Sequence, residues 1–140
     1  MTRYDYFWDV ANGLAEDRAL RGDMQGAEHY WTMMAYPDPR IKRWPPKRAL
    51  ALASLAARRL EQSNPQEAYR LASESLGVWK LDIAFEIRAK AALQWVQSPG
   101  IDTGEKTRLI ESARRDLANI APFSDRRAQA DVLLKDPLLE

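Results

Sequence analysis

The sequence contains no cysteine and only one histidine, His29, among its 140 residues. Disulfide and thiol chemistry are therefore excluded, and one histidine cannot form the paired spacing that metal ligands need. The six glycines are scattered and form no phosphate-binding loop. Catalysis requires convergent acid, base or nucleophilic groups, which this inventory does not offer. We therefore expect no catalytic residues, no metal and no cofactor, and a protein that is not an enzyme.

Long apolar runs are missing as well. The longest, residues 49–57, is rich in alanine and falls far short of the roughly 20 residues of a membrane span. The amino terminus carries Tyr4, Asp5 and Tyr6 where a signal peptide has a basic start and an apolar core. We therefore expect a soluble, cytoplasmic protein that does not insert into membranes. The formal net charge of +1 gives no overall attraction to nucleic acid or anionic lipid.

The residues that are present follow a helical period, and alternating strand patterns do not occur. The hydrophobic share of 46% suits one folded domain over residues 1–140. The chain is predicted to be all-α, with three antiparallel helical hairpins at about 3–37, 46–78 and 82–121 and a capping helix at about 124–135. Ala128, Val132 and Leu133 are expected on the inner face of that last helix. Asp23 and Asn64 are expected to be N-caps, the second in a capping box with Glu67.

Two stretches, residues 22–31 and 63–72, repeat the same pattern of a turn and a capped helix start. Ala27 and Ala68 occupy equivalent places in them, 41 positions apart. In each copy a matching landmark, Ala11 or Leu52, lies 16 positions upstream. A fixed period of this size is typical of stacked helical hairpins, each of which needs its neighbour to bury its apolar stripe.

Further positions match between the two copies. The first copy has Ala11, Leu14, Ala15, Ala27, Trp31 and Pro39, and the second has Leu52, Leu55, Ala56, Ala68, Ala72 and Lys80. With these residues the chain resembles the tetratricopeptide repeat family, and it does so over about half of its length. The resemblance implies a short solenoid of hairpins that binds other proteins.

The chain departs from the family pattern at several places. Arg18 and Arg59 stand where the family usually has an aromatic core residue, so their guanidinium groups must reach solvent or pair with a carboxylate. The period of 41 residues exceeds the family period of 34. The extra residues fit an insertion at 42–48 between two hairpins.

The resemblance also implies a peptide-binding groove lined by the first helix of each hairpin. Carried over by position, the first copy contributes Asp9, Asn12, Glu16 and Ala19, and the second contributes Leu50, Ala53, Ala57 and Leu60. The first set is mainly polar and the second is apolar. We therefore expect a non-enzymatic adaptor or scaffold that binds a protein or peptide partner. A second copy of the chain is another candidate for the apolar half, which would give a homodimer.

A basic segment provides an alternative binding surface. It contains Arg40, Lys42, Arg43, Trp44, Lys47 and Arg48, with Asp38 as its acid. Trp44 either folds back to hold the loop while the charges are solvated, or it takes part in binding. In the second case the segment is a nucleic-acid or phosphate-ligand binding module, in which Trp44 stacks on the ligand. A nucleic-acid partner is the less favoured of the two functional hypotheses.

Overall fold

The computed structural model describes residues 6–139, and the chain is helical with no strand in that range. Its α-helices are α1 (Phe7–Leu20), α2 (Met24–Ala35), α3 (Pro45–Glu61), α4 (Pro65–Val78), α5 (Asp82–Val96), α6 (Thr103–Ala118) and α7 (Arg127–Leu134). A short 3-10 turn follows at Pro137–Leu139. The predicted all-α class is confirmed. Within residues 6–139 none of the helices combines the length and the apolar character that crossing a membrane requires.

The helix starts follow the capping residues read from the sequence. The Asp23 side chain accepts a hydrogen bond from the Gly26 amide at 2.9 Å, and Asn64 accepts one from the Glu67 amide at 3.4 Å. The expected capping box is wrong in its second half. The Glu67 carboxylate does not reach back to Asn64 but accepts hydrogen bonds from Arg70, and these bonds lower the pKa of Glu67. The backbone N–H of Asn64 donates instead to the backbone carbonyl of Arg59, and this bond closes the preceding helix.

Helices that are neighbours in sequence pack on one another, and α3 also contacts α5. Two clusters of buried apolar residues result. The first contains residues of all five helices from α1 through α5, and the second contains residues of α5, α6 and α7. Ala27 of α2 and Ala68 of α4, the equivalent positions of the two copies, are both fully buried. Small residues at these positions let the helix backbones approach closely.

The first turn of α3 lies beside the carboxyl-terminal halves of α2 and α4. Arg48 donates a hydrogen bond of 2.6 Å to the Ala35 carbonyl at the end of α2, and its guanidinium lies 3.7 Å from the Glu74 carboxylate of α4. The buried Ser75 hydroxyl donates to the Ala49 carbonyl at 2.7 Å. These contacts bring the end of α2, the start of α3 and the carboxyl-terminal half of α4 together at one end of the molecule.

The carboxyl-terminal segment differs from its prediction in start and in register. The capping helix was expected from about residue 124, but turns extend over the preceding residues and α7 begins at Arg127. Ala130 is its buried residue, whereas Ala128 and Val132, two of the three expected inner residues, are exposed. Arg127 anchors the helix by donating hydrogen bonds to the carbonyls of Leu117 and Ile120.

Candidate functional site

A groove runs between α3 and α5, and we call it the α3–α5 groove. It encloses about 490 Å³. The lining comprises Leu50, Ala53, Ser54, Ala57, Leu60 and Glu61 of α3, Ile83, Glu86, Ile87 and Lys90 of α5, and Arg126. All four apolar α3 residues expected to face a partner are therefore in one groove. Their spacing of three or four residues places them on one helix face. Leu50 is exposed at one end, and Ala53 is buried in the floor.

A buried carboxylate lies in the wall of the α3–α5 groove. Glu86 is only 1% exposed, although it is charged. Lys90 Nζ lies 3.3 Å from its Oε1 atom and Arg126 Nη1 lies 3.4 Å from its Oε2 atom. Its Oε1 atom has no hydrogen-bond partner of good geometry. A buried carboxylate needs nearby positive charge to be stable. Lys90 and Arg126 supply that charge to Glu86, and both side chains remain partly exposed to the groove.

The first-copy residues expected in the same groove lie elsewhere. Asn12 and Glu16 hydrogen-bond to each other across one turn of α1, with a distance of 3.2 Å between Nδ2 and Oε1. Neither residue is among those that line the α3–α5 groove. The structure brings α3 together with α5 there, and Ile83 and Ile87 supply the apolar surface that was expected from the first copy.

The basic segment is held in place by two of its own cations. Arg40 forms a bidentate pair with Asp38 at 2.8 and 3.0 Å. Arg48 binds the Ala35 carbonyl and the Glu74 carboxylate, as described above. Arg40 and Arg48, both expected to contact a partner, are therefore engaged in contacts that hold the chain itself.

Of the remaining residues of the basic segment, Lys42, Arg43 and Trp44 are exposed and Lys47 is half-buried. The backbone is anchored by Ile41, which is buried, and by the Trp8 indole, which donates to the Lys42 carbonyl at 2.9 Å. Trp44 is 43% exposed and is the residue before the first turn of α3. Lys47 Nζ lies 5.6 Å from the centre of the Trp44 ring, within the range of a cation–π contact.

These contacts predict different effects for cations of the same segment. Arg48→Ser is expected to lower the free energy of unfolding by about 1.5–3 kcal/mol, because the Ala35 carbonyl and Glu74 lose a charged hydrogen-bond donor. The triple variant with Lys42, Arg43 and Lys47 changed to Ser is expected to stay within about 1 kcal/mol of the parent, because Lys42 and Arg43 are exposed and Lys47 loses only a cation–π contact. Urea unfolding followed by circular dichroism measures both. Equal stability of the two variants would contradict the structural role of Arg48.

A second polar cluster joins α4, α5 and α6. Arg88 donates to both oxygens of Asp116, at 2.7 and 2.6 Å, and Asp116 is only 2% exposed. The bond to Asp116 raises the pKa of Arg88. Nearby, the Tyr69 hydroxyl and the buried Ser112 hydroxyl lie 2.7 Å apart. Because the charges and hydroxyls satisfy one another, this cluster fixes the packing of the three helices.

The groove residues that sequence reasoning missed are mainly those of α5. Glu86 lies between Phe85 and Ile87 in the sequence. An acidic residue flanked by large apolar residues, in a helix without a polar face, indicates a buried charge. Lys90 follows one turn later, at the spacing of an ion pair. Arg126 has no local signal, because its partner Glu86 is 40 positions away in sequence.

His29 lies on the exposed surface of α2, with its ring 5.1 Å from that of Tyr30. In the part of the chain that the structure describes, no three or more acidic or histidine side chains form a group that could hold a metal ion. Comparisons of the chain with protein-family models, with curated protein sequences and with solved structures give no match.

Proposed function

We propose that the protein is a non-enzymatic adaptor that binds a peptide segment of a protein partner in the α3–α5 groove. In this proposal the helices form three antiparallel hairpins, stacked as a short tetratricopeptide-like array with α7 as its cap. Two observations support the arrangement. Sequence neighbours pack on one another, and Ala27 and Ala68, 41 positions apart, are both fully buried. Arg59, a departure from the family pattern, pairs with Glu28 of the preceding helix.

The observation that carries the proposal is the apolar stripe of α3 beside the apolar residues of α5, in which Leu50 is exposed and Ala57 and Leu60 are half-buried. Leu50 and Leu60 are ten positions apart, which corresponds to about 15 Å along a helix. An extended peptide of four to five residues covers that distance, at about 3.3–3.6 Å per residue. Between the two leucines, Ala53 and Ala57 are small and leave room for the partner's side chains. We therefore infer a partner segment of this length with apolar side chains.

The partner segment is identified by selecting a displayed peptide library on the immobilised full chain. We expect the enriched peptides to lose at least about tenfold in affinity for Ala57→Gln, because the longer side chain fills the groove; tenfold corresponds to about 1.4 kcal/mol. Isothermal titration calorimetry with the synthetic peptides measures the change.

The matched control is Ala118→Gln, which makes the same change at an exposed position of α6 outside the groove. It should bind the peptides as the parent does. A thermal melt confirms that both variants fold. Peptides that bind Ala57→Gln and the parent equally, or a selection that enriches no peptide, would contradict the proposal.

A further inference from the structure

Exposed aromatic residues recur in three connections between helices. Tyr36 and Trp44 flank the α2–α3 connection, Trp79 follows α4, and Phe123 lies between α6 and α7. Trp44 is 43% exposed, Trp79 is 50% exposed and Phe123 is 98% exposed. Exposed apolar residues indicate a contact surface when they group into one patch, so the relative position of these rings matters. We call these four residues the aromatic edge.

Side-chain contacts place the three connections at one end of the molecule. Ser75 bonds to the Ala49 carbonyl, so Trp79, one turn after Ser75, is brought to the first turn of α3, which Trp44 precedes. Arg126 reaches Glu86 in the second turn of α5, so the α6–α7 connection lies beside the start of α5. Helix α5 begins at Asp82, shortly after Trp79 in the sequence. The rings therefore occur along one edge of the helical array.

The same edge carries an excess of positive charge. Residues 36–48 contain five cations and one acid, Asp38, and Glu74 of α4 lies against Arg48 there. Within residues 6–139, Lys42, Arg43 and Lys47 form no ion pair with a carboxylate, and Lys47 lies over the Trp44 ring. Because the overall net charge is only +1, this local excess is a directional attraction for a polyanion.

We propose that the aromatic edge binds single-stranded nucleic acid, with bases stacked on Trp44 and Trp79 and phosphates near Lys42, Arg43 and Lys47. Unstacked bases are flat and sit on aromatic rings, while the phosphates take the cations. Duplex DNA hides its bases, and an acidic peptide uses the cations without needing exposed indoles. Single-stranded nucleic acid uses both features. The four residues of the aromatic edge are not among those that line the adjoining α3–α5 groove, so the inference goes beyond the proposed function.

Fluorescence anisotropy with labelled single-stranded DNA and RNA of mixed sequence tests the inference on the full chain. Trp44→Ala is expected to weaken binding about fivefold or more, and Trp44→Phe to restore most of it, because phenylalanine keeps a stacking face. The triple variant with Lys42, Arg43 and Lys47 changed to Ser should reduce the slope of log affinity against log salt by about 2.

The control triple changes Arg21, Lys106 and Lys135 to Ser. It removes the same charge from exposed sites on other helices and connections and should keep the parent salt slope. The groove variant Ala57→Gln should also bind the nucleic acid normally, which separates this inference from the peptide-binding proposal. The inference would be overturned by no binding of single-stranded DNA or RNA at low salt, by equal loss in both triple variants, or by no loss in Trp44→Ala. Tighter binding of duplex DNA, an acidic peptide or anionic vesicles than of single strands would also overturn it.

Discussion

Replacing Arg88 with methionine is expected to lower the free energy of unfolding by about 3–5 kcal/mol, the usual result of removing one partner of a buried ion pair. The variant leaves Asp116 charged and almost completely buried, without the guanidinium that donates to both of its oxygens. The serine at position 73, which also accepts from Arg88, loses a weaker bond of 3.3 Å. Urea unfolding at neutral pH measures the change.

A double variant separates the lost pair from the lost volume. Arg88→Met combined with Asp116→Leu removes both charges and fills the site with apolar atoms. We expect it to recover most of the stability lost in Arg88→Met, because no unpaired charge then remains buried. A double variant no more stable than Arg88→Met would show that packing by the arginine stem, rather than the unpaired carboxylate, explains the loss.

Local features of the sequence predicted the helices well. Short-range signals decide where helices begin, and Asp23 and Asn64 cap α2 and α4 as expected. The apolar stripe of α3 was also predictable, because a helical period fixes which residues share a face. Leu50, Ala57 and the alanine between them at position 53 consequently line one groove.

Features that depend on distant partners were not predictable. The opposite wall of the groove comes from α5, and the approach of Arg126 to Glu86 joins residues 40 positions apart. The charges of the basic segment were expected either to be solvated or to bind a partner, yet Arg48 is bound to the end of α2. No local pattern distinguishes it from its neighbour Lys47. In α7 hydrophobicity alone placed Ala128 and Val132 on the inner face, but both are exposed, whereas Leu133 packs against the core as expected.

The carboxyl-terminal segment contributes to folding through contacts that its short helix alone would not suggest. Ala130 and Leu139 are buried in the cluster formed with α5 and α6. Arg114 of α6 also donates to the Leu139 carbonyl at 2.6 Å. An isolated helix as short as α7 is not stable in water, so its helical state depends on this docking. The cluster and the segment therefore stabilise each other.

Deleting residues 123–140 is expected to lower the free energy of unfolding by at least about 4 kcal/mol, since burying one leucine contributes about 1.5–3 kcal/mol and several apolar residues lose their cover. Leu109, Leu117 and Ile120 would then be exposed, and sedimentation velocity should show self-association. Two point variants test the same docking within the intact chain. Ala130→Asp places a charge in the cluster and should destabilise strongly, whereas Val132→Asp, on the exposed face of α7, should change stability by about 0.5 kcal/mol or less. A truncated protein that remains monomeric and as stable as the parent, or equal effects of the two aspartates, would show that α7 does not cover the core.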